Sequence, residues 1–201
     1  MYTVSRLGMF DVVGLLNATG ILYRCGKDMA EKYGLHHWNN PYLKTLAIAC
    51  LGRLKNTVYL VKDGKTPIAT FGISEKDGTL LFSKFAVSPE YSGKGVGGFC
   101  LAEIERIAKE QGCKEVSCEV YDKSEHAKAF YEHKGYSVYG ASETRKYKQY
   151  KLSEDQYGCI ICRNYHILEV EHNGEIFGIY FPCYELPVFE QLTGLTATEI
   201  K

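Results

Sequence analysis

The sequence predicts an α/β fold of the α+β type: a mixed, mostly antiparallel sheet flanked by helices, with a β-hairpin extension at the C-terminal end. Three observations predict it. Two Asp-Gly pairs, Asp63-Gly64 and Asp77-Gly78, sit between three strand-like runs, and Asp-Gly is a strong signal for a tight hairpin turn. Four glycines within residues 93–98 open a helix-periodic run that Gly112 stops, so the third strand leads into a helix rather than another hairpin. Two helix-periodic stretches come before the strands and another follows the fourth. Strands wrapped around two pairs of helices imply a sheet that is largely antiparallel with one crossover.

The elements follow in order. Residues 2–6 read as a short strand. Residues 11–33 have mostly helical spacing at Val12, Leu15, Leu16, Ile21, Leu22 and Met29, with a break expected at Gly20 or Gly26. Residues 34–41 read as a loop. Asn40 is suited to cap, and Pro41 to open, a helix that carries Leu43, Leu46, Ala47, Cys50, Leu51 and Leu54 on one side. Residues 57–61, 67–74 and 79–87 form the antiparallel meander. In the helix after the glycines, Val96, Cys100, Leu101, Ile104, Ile107 and Ala108 share one face. A strand at 115–121, a helix at 124–134, and strands at 135–139 and 145–152 complete a first domain of residues 1–152. Residues 153–201 form an extension: strands at 165–171 and 175–181 flank Asn173-Gly174, prolines 182 and 187 end the pairing, and residues 186–192 suit a short helix.

With 45% hydrophobic residues the 201-residue chain can pack a core, so a disordered chain is excluded. No apolar run reaches the roughly 18–20 residues of a membrane span, and residues 1–6 lack a basic stretch followed by an apolar one, so a cytoplasmic protein with no membrane partner is expected. Cys25, Cys50, Cys100, Cys113, Cys118, Cys159, Cys162 and Cys183 are then read as mostly reduced thiols. The 24 basic and 24 acidic residues balance, which gives no general reason to expect nucleic acid. The balance is uneven: residues 153–201 hold two basic against eight acidic residues, and the rest holds 22 against 16. The extension also has seven aromatics. A lone hairpin is barely stable, so its apolar face must pack on the body of its own chain or on a second copy, and a homodimer is the expectation.

The chemistry concentrates at the glycines. Gly93, Gly95, Gly97 and Gly98 let backbone N–H groups approach a ligand at a helix N-terminus, where a pyrophosphate fits. No Gly-Lys-Ser/Thr ends the loop, so it is not a P-loop, and hairpin-linked strands are a poor match to a dinucleotide fold. In Cys159-x-x-Cys162, with His166, His172 and Cys183, only one of a zinc ribbon's two cysteine pairs is present, so no metal is expected. His36-His37-Trp38 can be an aromatic plug of its loop or part of a binding wall.

Over residues 2–152 this order of segments resembles the GNAT superfamily of acyl-CoA-dependent N-acetyltransferases. Ser92-Gly93-Lys94-Gly95-Val96-Gly97 is similar to the family's Arg/Gln-x-x-Gly-x-Gly/Ala loop, with Ser92 in place of the usual Arg or Gln; Lys94 can replace the lost phosphate donor. Residues 124–136 are similar to Asn-x-x-Ala-x-x-Phe-Tyr-x-x-x-Gly-Phe, with Ser124 for Asn as a small polar cap. The resemblance implies acetyl-CoA as cosubstrate, with its pyrophosphate on Ser92, Gly93, Lys94, Gly95, Val96, Gly97 and Gly98. It implies that Phe85, Ala86 and Val87 lie on a bulged strand that splays from its neighbour, binds the pantetheine arm and polarises the thioester carbonyl. Tyr131 takes the place of the acid that protonates the departing thiolate, although Phe130-Tyr131 also reads as the core face of a helix. The family's acceptor pocket implies a wall at His37 and Trp38. The frequent base, a Glu on the strand before the loop, is missing from residues 80–87, which leaves Glu119, Glu75 or a water relay. The expected reaction moves acetyl to a primary amine, such as a small amine or a peptide N-terminus, by direct attack. A longer acyl group, or a non-catalytic CoA-binding module, stays open beside it.

Overall fold

The structure is a computed structural model that describes residues 1–121, 123–137, 165–172, 175–182 and 197–199, the last three stretches as backbone. The strand at 145–152, the end of the strand at 135–139, the Asn173-Gly174 turn, the helix at 186–192, Cys159, Cys162, Cys183 and the boundary at residue 152 lie outside the described residues, as do the side chains of His166 and His172.

Four strands of the sheet are a continuous antiparallel run. β1 (Tyr2–Arg6) pairs with β2 (Thr57–Asp63), β2 with β3 (Thr66–Lys76) and β3 with β4 (Thr79–Val87). The second hairpin turns on Asp77 at φ +53° and Gly78 at φ +78°, the left-handed pair that a two-residue type I′ turn requires. α3 (Val96–Glu110) then crosses over, and β5 (Glu115–Cys118) lies parallel to β4, giving the order β1-β2-β3-β4-β5. The mixed, mostly antiparallel sheet with one crossover is the fold expected. Its core is built from Leu60, Val61, Ile68, Phe71 and Leu80 of the strands and Val96, Cys100, Leu101, Ile104, Ile107 and Ala108 of α3, all buried. The apolar face read for α3 is its buried face, residue for residue, and the Tyr2 ring meets Phe99 edge-on at 5.4 Å.

Other elements depart from expectation in instructive ways. α1 (Val12–Tyr33) runs unbroken through Gly20 and Gly26. A helical glycine costs only about 1 kcal/mol, which the buried stripe Ala18, Ile21, Leu22, Cys25 and Gly26 outweighs. α2 (Tyr42–Lys55) is capped by Pro41, not Asn40, with no side-chain cap. Its apolar stripe points outward: Leu43, Leu51 and Leu54 are 77%, 64% and 82% exposed, Ala47 and Cys50 are exposed, and Leu46 is half-buried. The inward residues are Thr45, Ala49 and Gly52, small enough for the helix backbone to come close to the sheet. β5 stops at Cys118 rather than reaching Tyr121, because its pairing with β4 ends at Phe82↔Cys118.

The chain divides into two compact units. The first, Met1–Asp28 with Pro41–Glu119, holds the five-stranded sheet, α2, α3 and most of α1. The second, Met29–Asn40 with Val120–Lys201, holds a 3₁₀ turn at His36–Trp38, α4 (Glu125–His133) and the strand backbones β6 (Tyr165–His172), β7 (Glu175–Pro182) and β8 (Ala197–Glu199) in the order β7-β6-β8. No helix among the described residues is long and apolar enough to cross a membrane.

Candidate functional site

In the first unit, β4 carries two irregularities close together. Against β3, Gly72 pairs with Ser83 and Thr70 with Ala86, so Lys84 and Phe85 bulge opposite Phe71. Against β5, pairing ends at Phe82, so residues 83–87 extend past their parallel neighbour. The bulge that the family resemblance implied is therefore present, and the pairing with β5 ends before it.

The loop after β4 is shaped to hold an anion. Ser88, a 3₁₀ turn at Pro89–Tyr91 and Ser92 lead to Gly93 at φ +73° and Gly95 at φ +81°, conformations that favour glycine. A Cβ on either glycine would meet nothing within 4 Å, so the concave side is open. Gly95 is the N-cap of α3 and supplies no side-chain cap, so the first-turn N–H groups of Val96, Gly97 and Gly98 have no partner within the helix. Lys94 is exposed, with its Nζ 5.1 Å from the Tyr91 ring centroid. These residues fit the pyrophosphate of acetyl-CoA: open backbone donors at the positive end of a helix dipole, with a lysine beside them.

α1 fastens the strand just before the loop. Cys25 Sγ donates to the Val87 carbonyl at 3.0 Å, and Arg24 Nη2 donates to Ser88 Oγ at 2.9 Å, with Arg24 Nε 3.6 Å from Glu90. Glu90 sits below the usual carboxylate range, through its hydrogen bonds to backbone and to Ser88 and the charges of Arg24 and Lys94. Burial pushes the Cys25 thiol up to about 12, and Cys100 on α3 likewise to about 12. Neither is a thiolate at neutral pH, so neither is a ready acyl acceptor. Sequence reasoning missed Arg24 and Cys25; the helical stripe Ala18, Ile21, Leu22, Cys25 was the available signal.

The remaining candidates belong to both units. Glu119 follows the end of β5 in the first unit and is exposed. Tyr131 lies on α4 in the second unit, where no α4 residue is fully buried, so Phe130 and Tyr131 are half-buried rather than a core face. The end of α4 is a complete Schellman motif: Gly135 at φ +85° donates to Glu132 O at 2.9 Å, and Tyr136 donates to Tyr131 O at 3.0 Å. The Tyr131 and Tyr136 rings pack 5.9 Å apart, the apolar contact that goes with that motif. The Tyr-x-x-x-Gly-Tyr spacing thus has a physical meaning, because it fixes Tyr131 on the last turn. Ser124 is the N-cap of α4 and buried, but makes no side-chain cap; its carbonyl receives Ala127 and Lys128. His37 is buried, 4.3 Å from the Tyr121 ring and 6.3 Å from the half-buried Trp38 ring.

A bulged strand that outruns its parallel neighbour and leads into an uncapped, glycine-led helix is the build of an acyl-CoA-dependent acyltransferase. The family model described as "Acetyltransferase (GNAT) family" matches residues 25–136, more than half of the chain, and the protein belongs to that family. Its cosubstrate is acetyl-CoA. Among solved structures, it is similar to the PaiA N-acetyltransferase of Thermoplasma acidophilum in complex with coenzyme A, with a TM-score of 0.60, 17% identity, and 71% of this chain and 94% of that one covered. It is also similar to the ribosomal-protein-S18-alanine N-acetyltransferase of Escherichia coli (TM-score 0.55, 20% identity, 77% and 86% covered). A GNAT-family acetyltransferase of Staphylococcus aureus gives a TM-score of 0.56 at 12% identity, with 77% and 95% covered. At such identities the likeness is one of fold. A comparison with curated proteins found no match.

Proposed function

We propose that this acetyltransferase moves the acetyl group of acetyl-CoA to a primary amine by direct attack in a ternary complex. The observation that carries the reading is the bulge of β4 at Lys84 and Phe85, past the end of its pairing with β5 and ahead of the open glycine loop. Acetyl-CoA supplies an activated thioester when bound. Backbone groups of Phe85 and Val87 hold the pantetheine arm and orient the carbonyl, with a fixed N–H dipole aimed at its oxygen. Ser92, Gly93, Lys94, Gly95, Val96, Gly97 and Gly98 bind the pyrophosphate. The amine lone pair forms the C–N bond, the C–S bond breaks, and Tyr131 gives its phenolic proton to the leaving sulfur. The amine's surplus proton goes to Glu119 or to water. The raised thiols of Cys25 and Cys100 support direct attack over a cysteine acyl-enzyme.

Thiol release from acetyl-CoA with a panel of amines tests the reaction, and Tyr131→Phe tests the acid. The variant is expected to bind CoA as the wild type does and to turn over about 10²-fold more slowly. Unchanged turnover would reduce Tyr131 to its part in the Schellman motif. CoA binding without thiol release on any amine would favour the non-catalytic module instead.

A further inference from the structure

β4 holds a cation that the acetyl-CoA cradle does not use. Lys84 lies in the bulge, next to Phe85, at φ +49°. Asp77, in a tight turn, is the only other described non-glycine residue with positive φ. A left-handed lysine on a strand is strained, and such strain persists only where the surroundings impose it. Here it accompanies a side chain set into a crevice bordered by α1, α2, β2, β3 and β4, with Leu15, Leu22, Ala49 and Phe71 among its walls. The crevice is narrow, with a cavity volume of about 20 Å³, room for about one water, so a ligand meets Lys84 at its mouth.

Three features isolate the charge. Gly52 of α2 makes the room: a Cβ there would stand 2.5 Å from Lys84 Nζ and 3.3 Å from its Cε. No wall of the crevice is acidic, and α2 has no acidic residue, so the ammonium has no hydrogen bond or ion pair among the described residues. Burial, and then the charge of Lys55, push its pKa down. The polar neighbours are Asn56, Thr70 and Ser83. Asn56 Nδ2 donates one N–H to Gly52 O and keeps a second, and Thr70 Oγ1 donates its proton to Tyr59 O. A half-buried ammonium without a counter-ion is costly, and an incoming anion removes that cost. Among the described residues Lys84 is the one cation in the crevice wall, with Lys55 acting on it from outside that wall, so a monoanion meets a single ammonium there, whereas phosphate favours a guanidinium or several cations.

We propose that Lys84 is an anion subsite through which the enzyme selects amine acceptors that also carry a carboxylate. The inference rests on the proposed reading of β4 as the strand that presents the thioester. Lys84 is the residue before Phe85, so its side chain starts beside the place where the acceptor amine must attack. An amino carboxylate docks its anion on Lys84 and leaves its amine at the bulge. Lys84 is thus a specificity residue, and the acetyl-CoA cradle works without it.

The test uses the full chain as wild type and as Lys84→Met, with acetyl-CoA and matched acceptors: amino acids and small amino carboxylates against their neutral carboxamides. Wild type is expected to favour the carboxylates by about 10²-fold in kcat/KM, mostly through KM, and Lys84→Met to bring the ratio close to one with CoA affinity unchanged. Gly52→Ala, which crowds Nζ without removing it, should lower the ratio partway. A ratio that Lys84→Met leaves unchanged, or an equal loss on both acceptor classes, overturns the proposal. A second arm does not depend on turnover. The Lys84 ε-methylene resonance is titrated by NMR with and without an amino carboxylate, and the bound anion should raise the Lys84 pKa. No shift with any carboxylate overturns the subsite even if acetyl transfer is confirmed. A shift in a protein that fails to bind CoA would uphold the subsite and sink the acetyl-transfer reading.

Discussion

Helices α3 and α2 both belong to the first unit, and both read in sequence as amphipathic. In α3, every apolar residue assigned to the inner face is buried, from Val96 to Ala108. In α2, the apolar stripe is the outer face, and Thr45, Ala49 and Gly52 turn inward. A helical period identifies a stripe but not the side on which the protein lies. α3 carries the cradle on a packed, large-residue interface. α2 uses small residues to border a crevice that contains a lysine. One helix leads out of the glycine loop, and the other borders the crevice around Lys84.

The strongest way to break the contrast is to truncate the α3 core. Ile104 is fully buried, and Ile104→Ala is expected to cost about 2–5 kcal/mol in urea unfolding. A cost below about 1 kcal/mol would mean that α3 is not the packed partner of the sheet.

The next test concerns the use of the α3 N-terminus. With CoA at about 100 times its dissociation constant, the wild type should gain roughly 2.7 kcal/mol of stability. Gly95→Val forces a β-branched residue to φ +81°. The variant should lose that gain while its apo form still unfolds cooperatively. Calorimetry that finds the same CoA affinity in the variant would move the pyrophosphate away from this loop.

Both hairpins, the crossover and the face of α3 were legible because they depend on local chemistry, although only the second hairpin turns on its Asp-Gly pair; in the first, Asp63 pairs with Thr66 and the turn is Gly64-Lys65. The Tyr131–Gly135–Tyr136 spacing was legible as a motif, and the structure supplies its cause in the Schellman hydrogen bonds. The ties from Cys25 to Val87 and from Arg24 to Ser88 were not, since they join residues more than sixty positions apart. Nor was the conformation of Lys84, because nothing within Ser83-Lys84-Phe85 asks for a left-handed residue. The break in register with β3 imposes it. The cap at Asn40 failed for a similar reason: Pro41 takes the N-cap position, and its carbonyl receives Thr45 N–H at 3.0 Å.

A smaller effect sharpens the contrast from within α2. Lys44 Nζ is buried with no hydrogen-bond partner among the described residues, and burial pushes its pKa down to about 8, from an ordinary value of 10.5. Below pH 8 both the folded and the unfolded chain hold the proton, and the folded chain bears the full burial cost. Between about 8 and 10.5 the unfolded chain binds more of this proton, so the Lys44 contribution makes stability rise with pH across that window. Lys44→Met should therefore stabilise the protein near pH 7, by about 1 kcal/mol once solvent screening is discounted, and the advantage should shrink toward pH 10.5. Melting temperatures of both proteins at pH 7 and pH 10 give the difference directly. An advantage that does not change with pH would show that the gain comes from methionine packing and not from the charge.

The smallest effect lies on the outer face of the same helix. Leu54 is 82% exposed, so Leu54→Ser removes little buried surface and should change stability by no more than about 0.5 kcal/mol. Leu51→Ser, at 64% exposure, should behave alike, and the double variant should be additive because neither leucine is packed on the sheet. The contrast with Ile104→Ala is then roughly an order of magnitude between two helices of one sheet. A loss above about 1 kcal/mol at Leu54 would mean that this face is covered in solution. Urea unfolding across a concentration series would identify the cover: a loss that shrinks as the protein is diluted points to a second copy, and one independent of concentration points to the chain's own residues.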